Sequence, residues 1–136
     1  MNIEDYFRIK GKYELIDGVY NVDGHVGLIK NFNKLPVKFG IVTGSFSCSR
    51  NKLTSLEGCP TKVGGCFYCY NNKLTSLEFS PIYVGGDFCC DENKLSSLEG
   101  CPISIGGNFL CEYNLEDTKE YKQFKIIQKL KLITWN

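Results

Sequence analysis

Apolar positions along residues 44–113 recur at a fixed step of 21. Phe46, Phe67, Phe88 and Phe109 share one register, and Cys48, Cys69, Cys90 and Cys111 share another. Leu53, Leu74 and Leu95 keep the step, as do Leu56, Leu77 and Leu98, then Val63, Val84 and Ile105. The polar residues Asn51, Asn72, Asn93 and Asn114 follow it too. A period in the low twenties that carries apolar and Asn positions together marks a solenoid in which each repeat is one turn. A single turn cannot bury its apolar face; stacked turns bury it as continuous columns.

Within each unit the alternation predicts a five-residue strand, with Phe67 and Cys69 facing the core and Cys66, Tyr68 and Tyr70 facing outward. The doubled glycines Gly64-Gly65, Gly85-Gly86 and Gly106-Gly107 precede these strands. They are expected to supply the positive φ that turns the arc into the strand. The Asn of each turn is expected to point inward and satisfy backbone groups where the strand bends, so that Asn51, Asn72, Asn93 and Asn114 form a structural ladder. One strand per turn is favoured over a parallel β-helix with more. Pro follows the KLTSL segment, and the arc after Leu56 shows no clean alternation.

The flanks break the period. Residues 2–9 suggest a short helical turn, and residues 13–16 and 19–22 suggest two short strands about Asp17-Gly18. Together they would cover the open first coil. Residues 23–42 form a degenerate first repeat, with Val26 and Leu28 at strand positions and Asn31 at the Asn position. It runs one residue short between Asn31 and Leu35. After Asn114 the spacing becomes helical: Phe124, Ile126, Ile127, Leu130 and Ile133 form one stripe behind an Asp117/Glu120 capping box. Its lysines lie mostly elsewhere on the helix, which favours an amphipathic cap over a membrane-surface helix. The expected organisation is an N-terminal cap over residues 1–22, a solenoid over 23–113 and a C-terminal helical cap over 114–136, within one globular domain.

The units FSCSRNKLTSL, FYCYNNKLTSL, FCCDENKLSSL and the fading FLCEYNLED share the form apolar-x-apolar-x-x-Asn-x-Leu-x-x-Leu. That form resembles a leucine-rich repeat with Phe and Cys at the strand positions. The fuller phrase NNKLTSLEGCPxxVGGxFxC is similar to repeats of small leucine-rich-repeat proteins of tailed bacteriophages, over about residues 24 to 114. The resemblance implies a leucine-rich-repeat solenoid with a short parallel β-sheet on its concave face and irregular convex arcs. It also implies that the concave face binds partners, and it carries over no catalytic residues.

Composition narrows the chemistry. The 136 residues carry a formal net charge of +1, divided as +1 over residues 1–43, −2 over 44–113 and +2 over 114–136. No pull toward nucleic acid or an anionic membrane follows. Apolar runs are far shorter than a bilayer span, and Glu4, Asp5 and Arg8 interrupt what would have to be an apolar export signal. A cytoplasmic address is expected, the host cytoplasm if the chain is phage-encoded. Eight cysteines raise the question of disulfides. Four of them occupy one inward register, where parallel strands hold side chains about 4.8 Å apart and pointing the same way. A buried thiol ladder suits that geometry better than bridged pairs.

Cys66-x-x-Cys69 has metal-ligand spacing, but an odd step on a strand sends the two thiols to opposite faces. His25 is the only histidine, so no zinc set is expected. His25 stands roughly 14 Å from Cys89, about three strand spacings, too far for direct proton transfer. No phosphate-cradling loop or dinucleotide fingerprint appears, and no enzyme or cofactor is expected.

What remains is the outward row. It begins with His25, Gly27 and Ile29 and continues through Ser45, Ser47 and Ser49 to the later coils. Tyr68, Tyr70, Asp87, Cys89, Asp91, Glu92, Leu110, Glu112 and Tyr113 form an aromatic and acidic patch suited to a basic protein partner. The function expected is non-catalytic protein binding, as of a phage-encoded binder or inhibitor of a host protein. The alternatives are a self-assembling structural protein, held by an open solenoid end or the Trp135 tail, and a cysteine-dependent enzyme using Cys66 or Cys89.

Overall fold

The computed structural model describes residues 2–29 and 31–114. A one-turn 3-10 helix, Ile3–Asp5, is capped by the Asn2 side chain, which accepts the Glu4 N–H. Strands β1 (Phe7–Ile16) and β2 (Val19–Leu28) follow as an antiparallel hairpin about Asp17-Gly18. Both turn residues have positive φ, 51° and 79°, the condition for a two-residue turn that matches strand twist. The strands are longer than the four-residue segments expected from sequence. Gly11 and Gly24 face each other at mid-hairpin, where a Cβ on Gly11 would lie 2.1 Å from the Asp23 carbonyl oxygen. The paired glycines let the hairpin pass through a point that local sequence reads as a break.

Beyond the hairpin each coil carries two short strands. One ladder runs from β2 through β4 (Phe46–Ser47), β6 (Phe67–Tyr68) and β8 (Phe88–Cys89) to β10 (Phe109–Leu110). The other runs from β2 through β3 (Lys38–Val42), β5 (Lys62–Val63) and β7 (Tyr83–Val84) to β9 (Ser104–Ile105). Strand β2 belongs to both, pairing Val19 with Lys38 near its start and Val26 with Phe46 near its end. The result is a parallel β-solenoid of about four turns, with Ile3–Asp5 the one helical element among the described residues. One strand per turn was the expectation; two ladders per turn are observed, meeting at a bend. The expected C-terminal helical cap lies outside the described residues.

The doubled glycines make that bend for a different reason from the one expected, since their φ is not positive. A Cβ on Gly64, Gly85 or Gly106 would fall 2.2, 2.2 or 2.1 Å from a carbonyl oxygen of the preceding coil. Successive coils approach too closely there for any side chain. Positive φ occurs instead at Arg50, Asn71, Glu92 and Tyr113, each directly before a ladder Asn, and at Gly58, Phe79 and Gly100 on another corner.

The core is built from the recurring columns. Phe46, Phe67 and Phe88 are fully buried, with ring centroids 5.7 and 5.3 Å apart, and Phe109 extends the stack at 5.3 Å. Phe39 closes the stack edge-on against Phe46, and Phe7 packs edge-on over Phe39. Each such ring removed from water stabilises the fold by about 1.5–3 kcal/mol. Cys48, Cys69, Cys90 and Cys111 lie buried in a parallel column.

The first coil departs from expectation in one detail. Lys52 donates its N–H to the Phe32 carbonyl as Lys73 does to that of Leu53. Phe32 therefore fills the Leu53 register while Val26 pairs with Phe46, and the missing residue lies between Val26 and Phe32. Asn31 is exposed rather than part of the ladder.

Candidate functional site

The outward surface of the first ladder is set by strand register. In the hairpin Arg8 pairs with Gly27 and Lys10 with His25. Parallel pairing then carries Gly27 to Ser47, Ser47 to Tyr68, Tyr68 to Cys89 and Cys89 to Leu110. Six strands separated by about 4.8 Å give a row roughly 24 Å long.

One row of this surface is committed to holding the coils together. Ser45 donates its N–H to His25 Nδ1 at 2.9 Å, and Cys66 donates to Ser45 Oγ at 3.0 Å. Asp87 donates to Cys66 Sγ at 3.3 Å, and Asn108 donates to Asp87 Oδ1 at 2.7 Å. Sequence reasoning missed this second ladder. Its signal was present, since His, Ser, Cys and Asp at one register all offer an acceptor. Asp91 plays a similar part, its Oδ1 accepting the Glu112 N–H.

The predicted partner-binding residues divide into three groups. Tyr68 and Tyr70 are half-buried and meet edge-on, with centroids 6.2 Å apart and the Arg50 guanidinium 5.8 Å from the Tyr70 ring centre. A hydrogen bond with the Cys66 thiol, followed by burial, pushes the Tyr68 phenol up to about 12. Asp87, Asp91, Leu110 and Glu112 join these tyrosines on the same surface. Glu92 and Tyr113 stand at the positive-φ corner beyond the strands, exposed and off the flat face.

Cys89 is the exception. Sequence alternation places it on the outer face, yet only 7% of it is accessible. It is smaller than its row neighbours Tyr68 and Leu110 and sinks between them. Burial pushes its thiol up to about 11, against a partly offsetting hydrogen bond from the Asp91 backbone. No family model, curated protein or solved structure matches this chain.

The row is electrically polarised. Arg8, Lys10 and His25 occupy one end, while Asp87, Asp91 and Glu112 occupy the other. Sequence reading began the row at His25 and could not include the two cations, which arrive only through pairing of β1 with β2. At the basic end lies a groove of about 260 Å³, lined by Arg8, Lys10, His25, Val26, Gly27, Ser45, Ser47 and Tyr68. A wider hollow of about 590 Å³ beside the hairpin includes Asn21, Asp23 and Thr43 in its wall. These polar groups are already engaged: Asn21 accepts the Ile41 N–H, and Thr43 bonds Asp23.

Cys66 and Cys69 do point apart, Cys66 half-exposed and Cys69 fully buried. Among the described residues no group of three or more His, Cys, Asp or Glu side chains is placed to hold a metal ion. Among the same residues no helix is long and apolar enough to cross a membrane.

Proposed function

We propose that the chain is a non-catalytic module of leucine-rich-repeat type that binds another protein through Tyr68 and Tyr70 and the carboxylates beside them. The observation that carries this reading is the edge-on tyrosine pair, half-buried and flanked by Asp91 and Glu112. Rigid aromatics with polar tips give contact area at little entropic cost. The carboxylates favour a basic partner and disfavour nucleic acid. Strand spacing makes the patch about 20 Å by 15 Å, so Glu92 and Tyr113 at the adjoining corner enlarge it toward a low-to-standard interface. Burial raises the thiols of Cys59, Cys69, Cys89 and Cys90, which opposes each of these four as a nucleophile, a role that requires a lowered pKa. The phage-like repeat phrase supports a binder or inhibitor of a host protein in the host cytoplasm.

The test is affinity capture by the native chain and by a Tyr68→Ser, Tyr70→Ser variant of matched melting temperature. Loss of the captured protein in the variant is expected. Equal recovery of every partner removes this face from consideration.

The polarised row favours a second reading, self-association, because two copies related by a two-fold axis would set basic ends against acidic ends. Light scattering at rising concentration decides it: a persistent monomer ends that reading.

A further inference from the structure

Gly27 is a glycine that the fold does not require. Its φ lies outside the left-handed region, and a Cβ built on it meets no atom within 4 Å. Gly64, Gly85 and Gly106, by contrast, each abut a carbonyl oxygen. The missing side chain at Gly27 opens the floor of the groove between Arg8 on β1 and Ser47 on β4.

The groups around that floor are donors. Arg8 offers a planar fork of N–H groups and Lys10 an ammonium. His25 Nδ1 accepts the Ser45 N–H, which places the proton of the neutral ring on Nε2 as a donor. Ser45 Oγ accepts from Cys66, leaving its O–H to donate, and Ser47 contributes a second hydroxyl. No carboxylate lines the groove.

We propose that this groove binds the phosphoryl group of a small phosphate monoester. Arg8 and Lys10 supply the counter-charge, while His25 Nε2–H and the Ser47 hydroxyl orient the oxygens. The donors come from three strands, and the three terminal oxygens of a phosphate, with their higher charge, engage more of them than the two oxygens of a carboxylate. The volume leaves room beyond the anion for an organic group against the Tyr68 ring. This site stands at the opposite end of the row from the acidic patch and meets the proposed protein-binding surface only at Tyr68, whose ring borders both.

The test is an amide-resonance titration of the full chain with phenyl phosphate, inorganic phosphate and acetate, each against chloride at matched ionic strength. Saturable shifts at Gly27, Ser45 and Ser47 are expected for both phosphates, tightest for phenyl phosphate. Arg8→Gln with Lys10→Gln weakens binding by roughly tenfold or more, and Gly27→Leu abolishes it at unchanged melting temperature. If Gly27→Leu does not fold, the Arg8/Lys10 variant decides. Shifts no larger than those of chloride, acetate binding equal to phosphate, or full affinity in the Arg8/Lys10 variant overturns the proposal.

Discussion

Asn72 reaches back across one coil, its Oδ1 accepting the Leu53 backbone N–H at 2.9 Å. Its amide nitrogen donates to the Cys48 carbonyl at 3.0 Å and the Cys69 carbonyl at 3.1 Å. Asn93 repeats the arrangement one coil on, with Leu74, Cys69 and Cys90. The ladder therefore ties adjacent coils together where the strand hydrogen bonding ends. Truncation would strand the buried Leu53 N–H and leave the Cys48 and Cys69 carbonyls with one donor fewer, held by Asn51 and Asn93 respectively. Asn72→Ala is expected to cost about 1–3 kcal/mol, read as a lower urea midpoint at unchanged slope. Asn31→Ala, at an exposed position of the shortened first coil, stays within about 0.5 kcal/mol.

Two glycines give opposite outcomes for the same substitution. Gly85→Ala drives a Cβ to 2.2 Å from the Gly64 carbonyl oxygen, which forces the coils apart and costs about 1–3 kcal/mol. Gly27→Ala enters open space and changes stability by less than about 0.5 kcal/mol. Thermal unfolding followed by circular dichroism separates them. Equal effects would mean that stacking distance does not govern the Gly-Gly bend.

Phe79 occupies a corner register held by glycine in the coils on either side. Its φ is 71°, against 95° at Gly58 and 87° at Gly100. A non-glycine residue in that region carries about 1–2 kcal/mol of strain, and Phe79 remains 55% exposed, so burial offsets little of it. The greater freedom of glycine in the unfolded chain returns about 0.4–1 kcal/mol. Phe79→Gly is expected to stabilise the protein by about 0.5–1 kcal/mol, visible as a higher melting temperature. A lower one would mean that the exposed ring makes a packing contribution larger than its strain.

The buried thiols predict an alkaline limit. Burial lifts Cys89 from 9.0 to about 11 and raises Cys59, Cys69 and Cys90 in the same direction. The fold thus favours the protonated thiol. The associated stability is fully present below pH 9 and is lost as pH rises through the folded values. The urea midpoint should fall between pH 9 and 11, and Cys89→Ala should lose less over that window. Iodoacetamide at pH 8 should modify Cys89 more slowly in the folded chain than in urea; equal rates would contradict its burial.

Much of the core was legible because a 21-residue period leaves each side chain only one place to go. Once Phe46, Phe67, Phe88 and Phe109 share a register, stacking the coils must stack the rings, and the same holds for the Cys and Asn columns. The Asp17-Gly18 hairpin was equally legible, since its turn chemistry is local.

The outer face was read less well because alternation gives direction and not depth. Cys89 faces outward by count but lies low between Tyr68 and Leu110, and the size of neighbours in other coils decides that. The acceptor row from His25 to Asp87 escaped notice for a similar reason: its bonds link residues 20 or 21 apart.

The repeating columns, their inward residues and the absence of room for a second core were determined by the sequence alone, because periodicity is a property of the chain. Which glycines meet a neighbour's carbonyl, which thiol sinks, and which cations from β1 arrive beside Gly27 were decided only by tertiary structure. Those are distances between segments far apart in sequence, and no local preference encodes them.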